Sequence, residues 1–505
     1  MLNKKKRCAG VLMPISSLPS KYGIGDFGEE AYKFADFLHD AGQSMWQILP
    51  LTAIDEGCGN SPYSPPSAFA GNFLFISPEK LVEQNLLTEQ ELNKIASKFD
   101  FDKNPERVDY SSARKFRIQV LNHAWENFKK GSMSDFTEFV NRSNEWLNGY
   151  AMFSVIKNNY NGAAWYDWPE ELKFKDKKAL EKFSASHSDE IMRQKFYQFI
   201  FSTQQSELKK YINSLGIELI GDVPLYVTRD CADVWLDPGF FNLDEDLNPV
   251  SVAGVPPDYF SADGQLWGNP TYNWKNMERW GFLWWLKRLT NSFKRYDRVR
   301  IDHFRGLIAY WSVPEGEKTA KNGEWIDVPY EKFFECLKNN FTEMPFWAEN
   351  LGIITPDVEA VRKKYELPGM LVLHFAFGNP ADNPYAPHNN TPDNVIYTGT
   401  HDNNTSRGWF VEDATEQELK NFSAYIGRDL IDEFIFTAEI TRMALSSVAN
   451  TAVIQMQDYL RLGSEARINV PSTPSGNWAW RMKKDAVSNE LASRILETCQ
   501  LYGRV

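Results

Sequence analysis

The chain has 505 residues, 43% hydrophobic and 24% charged, the balance of a soluble globular protein and enough length for one large domain with insertions or for several domains. Its formal net charge of −12 argues against a nucleic-acid or anionic-membrane surface, since both need basic footprints. Five cysteines, far apart and odd in number, match neither a zinc site nor a disulfide framework and point to a reducing compartment.

In chain order, "MLNKKKRCAGVLMPI" places a basic cluster before a short apolar stretch, like the front of a secretion signal. The stretch ends at "SSLPSKYG" without a long apolar region or a small-residue cleavage site. No segment approaches the roughly 20 apolar residues of a membrane span, so a cytoplasmic protein is expected. Short apolar runs suited to buried parallel strands then recur. They are "CAGVLMPI" (8–15), "SMWQILPL" (44–51), "IELIGDVPLYV" (217–227), "DRVRIDHF" (297–304), "PFWAENLG" (345–352), "LVLHFAF" (371–377), "NVIYTGTHD" (394–402) and "TAVIQMQD" (451–458). Most precede helical patterns such as "GEEAYKFADFLHDAG" and "TPDVEAVRKKYE", where Thr355 suits an N-cap and Pro356 the first helical position. Eightfold strand–helix alternation predicts an α/β fold, a (β/α)8 TIM barrel with large helical and loop-rich insertions.

The spacing is uneven. About 165 residues separate the second and third runs, far more than one crossover needs. Their charged, helix-patterned text predicts a mainly helical insertion over 75–212. A second insertion over 230–292, rich in Gly, Pro, Trp and Tyr, is expected to lie over one end of a single barrel spanning 1–505.

Chemistry gathers at the C-terminal ends of barrel strands. There the sequence places Asp222, Asp302, Glu349, Asp402 and Asp458, the last of which, within "QMQDYLRLG", reads as structural rather than catalytic. In "YDRVRIDHFRGL", Arg298, Arg300 and Asp302 share one strand face, which fits either a structural ion pair or an active site. Converging carboxylates repel unless a cation such as Arg300 holds them or some stay protonated, and a protonated–ionised pair is what acid/nucleophile chemistry requires. His303 and His401 fit core histidines, metal ligands or substrate contacts. With no H-x-H pair and seven histidines in all, no metal and no cofactor is expected. Many of the 17 Trp and 21 Tyr adjoin Gly, Pro, Asn or Asp, where flat rings suit either loop packing or the apolar faces of sugars.

"IGDVPLYV", "RVRIDHFRG", "FWAENLG" and "YTGTHDN" resemble the four short regions of the α-amylase clan of glycosidases and transglycosidases. The flanking "GVLMPISSLPSKYGIGDFG", "SPYSPPSAFAGN", "VAGVPPDYFSADGQLWGNPTYNW", "LPGMLVLHFAFG" and "GSEARINVPSTPSGNWAWR" resemble, more narrowly, the 4-α-glucanotransferases, also called amylomaltases or disproportionating enzymes. That resemblance runs from about residue 8 to about residue 482 in family order. It implies retaining transfer of α-1,4-glucan segments among maltooligosaccharides. Asp302 corresponds to the nucleophile, Glu349 to the general acid/base and Asp402 to the carboxylate that binds sugar hydroxyls and helps distort the ring. Retention requires carboxyls about 5–5.5 Å apart. Arg300 would keep Asp302 ionised, and Trp347 and Asp302 would help keep a proton on Glu349.

The resemblance also implies that Asp222, His303 and His401 hold hydroxyls and that Tyr63 stacks on the sugar at the scissile bond. Tyr259, Gln265 and Trp267 match a loop over the cleft, and Asn469 a further polar contact. Asn350, His374 and Asn404 replace the residues more usual in the family. Asn350 and His374 are expected beside the site, where they would shift the acidity of Glu349 or change which glucans fit. The alternatives are an α-glucan hydrolase with the same carboxylates and a non-catalytic glucan-binding barrel. Neither nucleic acid nor membrane is an expected partner, and oligomeric state is not legible.

Overall fold

The structure, a computed structural model, describes residues 7–257, 261–352, 354–429 and 432–505. The short apolar runs form one eight-stranded parallel sheet. Its strands are Cys8–Leu12, Met45–Gln47, Glu218–Val223, Arg298–Ile301, Phe346–Ala348, Gly369–Val372, Asn394–Tyr397 and Thr451–Gln455. They lie side by side in chain order, and the eighth pairs with the first from Cys8↔Thr451 to Leu12↔Gln455. Parallel neighbours require crossovers, and helices such as Glu29–Asp40, Leu283–Arg295, Pro356–Lys364 and Glu433–Ser446 supply them. Strands covered on both faces read as unbroken apolar runs, and every residue of Gly369–Val372 and Asn394–Tyr397 is buried.

The ring is nearly closed, a TIM-like barrel as the sequence predicts. Between the fifth and sixth strands the ladder gives way to Ala348 N–H donating to Pro368 O (2.8 Å). Asn350 stitches the remaining seam. Its Oδ1 accepts from Met370 N–H (2.7 Å), and its Nδ2 donates to Glu359 Oε1 (2.6 Å). A side chain at Gly369 would collide with it, since a Cβ there would lie 2.9 Å from Asn350 Nδ2.

Between the second and third strands run helices including Glu89–Ala96, Tyr110–Phe128, Asn144–Asn159 and Ser188–Ser214. Thr88 and Glu91 form a reciprocal capping box, and Asp109 and Asp176 cap the helices that follow them. Two glutamines of Ser188–Ser214 bind the 60–77 loop as a neighbouring strand would. Gln198 accepts from Gly71 N–H (2.7 Å) and donates to Gly71 O (2.9 Å), and Gln204 treats Ser77 the same way (2.7 and 3.2 Å). A buried Arg117–Asp26 pair (2.5 Å) ties this layer to the barrel.

A second sheet, antiparallel, has the order Gln265–Pro270, Ser251–Val255, Ala309–Pro314, Glu324–Asp327. Ala309–Pro314 leaves the barrel through the turn Phe304–Leu307, directly after the fourth strand. At the opposite end of the barrel Arg504 donates to six carbonyls: Cys8, Ala444, Leu445, Ser447, Ala449 and Asn450. Among the described residues no helix is long and apolar enough to cross a membrane.

Candidate active site

Alternation along the third and fourth strands aims Glu218, Ile220 and Asp222 the same way as Arg298, Arg300 and Asp302, in register across the pair. Arg298 pairs with Glu218 through Nε (2.7 Å) and Nη2 (3.1 Å) at the N-terminal end of the barrel. One layer higher, buried Arg300 donates from Nε to Asp222 Oδ2 and from Nη2 to Asp302 Oδ1, both at 2.8 Å. The lower pair is half-exposed and structural, while the upper group lies buried with Asp302 open to the cleft.

Asp302 lies one residue past its strand and keeps 31% side-chain exposure. The backbone then turns into the left-handed region at His303 (φ 49°). That turn aims His303 N–H at Glu349 Oε2 (2.7 Å), while Leu351 N–H donates to Glu349 Oε1 (2.8 Å). Phe304 N–H completes the tie to Glu349 O (3.1 Å). The His303 ring meets Trp267 edge-on at 4.8 Å. Burial pushes its pKa down to about 4, and its buried Nε2 has no partner among the described residues.

Asp402 is fixed from three sides. Asn469 Nδ2 donates to Oδ1 (2.7 Å), His401 Nε2 lies 3.3 Å from Oδ2, and Arg467 Nη2 donates to the backbone carbonyl (3.0 Å). The Tyr63 ring stacks on His401 at 4.8 Å and 12°, and its hydroxyl donates to Asp222 Oδ2 (2.8 Å). Asp222 Oδ1 is buried without a partner among the described residues. Gln265 and Trp267 stand on an edge of the antiparallel sheet, joined Nε1 to Oε1 at 3.2 Å. Tyr259 lies outside the described residues.

The electrostatics separate these carboxylates. Burial pushes Asp302 up to about 7, opposed by Arg300 and reinforced by Asp222, Glu349 and Asp402. Burial raises Glu349 too, against Arg300 and its two N–H donors. For Asp402 burial is outweighed by His401, Asn469 and Arg300, which hold it well below the usual carboxylate range. Asp302 and Glu349 therefore titrate together, both raised by burial and both opposed by Arg300.

Two expectations are corrected, those for Asn350 and His374, whereas Asp458, read from the sequence as structural rather than catalytic, stands apart from the cleft carboxylates. Buried in the turn Met456–Tyr459, it accepts from Thr398 Oγ1 (2.6 Å) and from Ser406 N–H and Oγ (2.7 and 2.8 Å), bracing the loop that carries Asp402. Asn350 turns away from Glu349 into the barrel seam. His374 is buried against Trp409, with Nε2 3.0 Å from Ser406 Oγ. Sequence reasoning missed Trp478, which backs Tyr63 at 5.5 Å, and Arg467, whose Nε also donates to Asn469 O (2.8 Å). Both fall within "EARINVPSTPSGNWAWR", where only Asn469 carried a signal. Among the described residues no cluster of His, Cys, Asp and Glu is arranged to hold a metal ion.

Comparison with known proteins identifies the family. The family model described as 4-alpha-glucanotransferase matches residues 13–487. A 4-alpha-glucanotransferase of Aquifex aeolicus is 43% identical over 499 residues, 99% of each chain. One of Clostridium butyricum is 43% identical over 493 residues, 97% of this chain and 100% of its own. The solved structure of an amylomaltase from Streptococcus agalactiae, in complex with acarbose, superimposes with a TM-score of 0.94 at 37% identity, covering 99% of this chain and 100% of that one. The chain therefore belongs to the 4-alpha-glucanotransferase family, and its activity is that of a 4-alpha-glucanotransferase.

Proposed function

We propose that the enzyme moves α-1,4-glucan segments between maltooligosaccharides, or onto glucose, by retaining double displacement. Asp302 attacks the anomeric carbon and forms a covalent glycosyl ester while Glu349 protonates the departing glycosidic oxygen. Glu349, now ionised, then takes the proton from the 4-hydroxyl of the incoming glucan, whose oxygen displaces Asp302. Asp402 binds hydroxyls of the distorted sugar, Tyr63 stacks against it, and Asp222, His303, His401 and Asn469 hold its polar edge.

The observation that carries the reading is the fork of Arg300. One guanidinium fixes Asp302 Oδ1 and Asp222 together, while Asp302 Oδ2 takes no hydrogen bond among the described residues and is left for the substrate. The neutral His303 ring and the unpartnered Asp222 Oδ1 support hydroxyl binding. The acarbose carried by the Streptococcus agalactiae amylomaltase supports an α-glucan substrate. We read 75–212 and 230–292 as insertions in one barrel. Gln265 and Trp267 cover the cleft and exclude water, which favours transfer over the hydrolysis that the same carboxylates also support. Five free cysteines support a reducing, cytoplasmic setting.

Maltotriose alone tests the reading. Transfer yields longer chains plus glucose with total reducing ends unchanged. Shorter sugars with rising reducing ends would replace it with hydrolysis, and no product at all would overturn it.

A further inference from the structure

The antiparallel sheet has two edges. One carries Trp267 against His303; the other, Glu324–Asp327, carries Trp325, 38% exposed. Trp325 is open to solvent yet braced. The Arg305 guanidinium lies 3.9 Å from its ring centroid. Trp311, its register partner on the next strand, meets it at 5.3 Å and 64° and is itself pinned by Nε1 donating to Ala320 O (2.7 Å). Arg305 belongs to the turn that follows Asp302 and His303, and its Nη1 donates to Thr355 Oγ1 (3.1 Å) in the segment after Glu349. Trp325 is therefore tied to the joint between the two loops that present Asp302 and Glu349.

An exposed indole loses free energy to water, and a loosely held one folds down onto its neighbours. This one is held out by a cation on its face and a ring at its side. Its flat apolar surface matches the C–H face of a pyranose, and the adjoining guanidinium matches sugar hydroxyls.

We propose that Trp325 and Arg305 form an outlying glucan subsite on the Glu349 side of the cleft, engaged by chains several sugars long and not by glucose or maltose. The proposal rests on the transfer reading above. A subsite beyond the reacting sugars adds binding energy only for a substrate that reaches it, so its signature is chain-length dependence.

The test compares wild type, Trp325→Ala and Trp325→Phe on maltotriose and on maltoheptaose. Trp325→Ala lowers the ratio of kcat/KM for maltoheptaose over maltotriose about three- to tenfold, mainly through KM, and Trp325→Phe restores most of it. An unchanged ratio, or equal losses on both sugars, overturns the subsite and leaves Trp325 a packing residue. If Trp325→Ala does not fold, Arg305→Lys, which loses the planar group behind the ring, gives the same comparison with the same two outcomes. Wild type that transfers nothing from maltotriose fails the transfer reading instead. Calorimetric titration of both sugars into wild type and Trp325→Ala, or Arg305→Lys where Trp325→Ala does not fold, then still decides whether the longer chain gains affinity at this subsite.

Discussion

At the scale of the residue, Asp302 pits catalysis against stability. Its carboxyl is raised from an ordinary 3.8 to about 7, so folding favours the neutral form. The stability this confers is complete below about pH 4 and is lost as pH climbs through 7. Asp402 behaves oppositely, since its lowered carboxyl stabilises the fold above about pH 4 and loses that contribution on acidification. Asp302→Asn keeps an oxygen for Arg300 while removing the charge. Turnover on maltotriose should fall on the order of 10³-fold or more, because the proposed nucleophile is gone. Melting in parallel should show the variant above wild type at pH 8, with the gap closing toward pH 4. A gap that widens on acidification would mean that Arg300 stabilises the Asp302 anion more than burial opposes it. These residues were legible in sequence because each lies at or just beyond a strand end. What pins them was less so: the left-handed turn at His303 and the donor Arg467 are facts of backbone path and of distant chain meeting.

At the scale of the element, the barrel seam depends on one side chain. Asn350 replaces part of a ladder between Phe346–Ala348 and Gly369–Val372, accepting from Met370 N–H and donating to Glu359. Asn350→Ala should destabilise the fold by about 1–3 kcal/mol, since it orphans a buried backbone donor. Urea unfolding would measure the loss, and faster hydrogen exchange at the Met370 amide would locate it. An unchanged exchange rate would show that the Ala348–Pro368 bond suffices. All eight strands were legible as apolar runs, but each run overstates its strand. "LVLHFAF" (371–377) is strand only to Val372, because pairing with Asn394–Tyr397 ends there and Leu373–Phe375 closes into a 3₁₀ turn. The antiparallel sheet was not foreseen. Its strands Ser251–Val255 and Gln265–Pro270 are short and broken by Gly and Pro, and Ser251–Val255 joins them to Ala309–Pro314, itself paired with Glu324–Asp327, beyond the segment read as an insertion.

At the scale of the whole molecule, chemistry and closure occupy opposite ends of the barrel. The cleft gathers loops after the third, fourth, fifth and seventh strands. The far end is sealed by Arg504, buried among six carbonyls with no carboxylate bonded to it among the described residues. Burial without an acid partner lowers its pKa to about 10, and it remains a cation at neutral pH beside the last carbonyls of Glu433–Ser446, where a helix favours positive charge. Arg504→Ala should destabilise the fold by roughly 3 kcal/mol or more, with kcat on maltotriose at 25 °C unchanged in the folded fraction. A fall in kcat without loss of stability would contradict this division of labour.

The same clamp has a topological consequence. Arg7 reaches Leu445 O (3.1 Å) and Ser447 O (2.7 Å), two of the carbonyls that Arg504 holds. Positions nearly five hundred residues apart thus converge on one small knot of backbone, on the side facing away from substrate. A few linking residues would join them into a circle, and the chain could be reopened in a surface turn of the helical layer without disturbing the cleft. A bead or fusion partner attached near either position would leave the glucan path unobstructed.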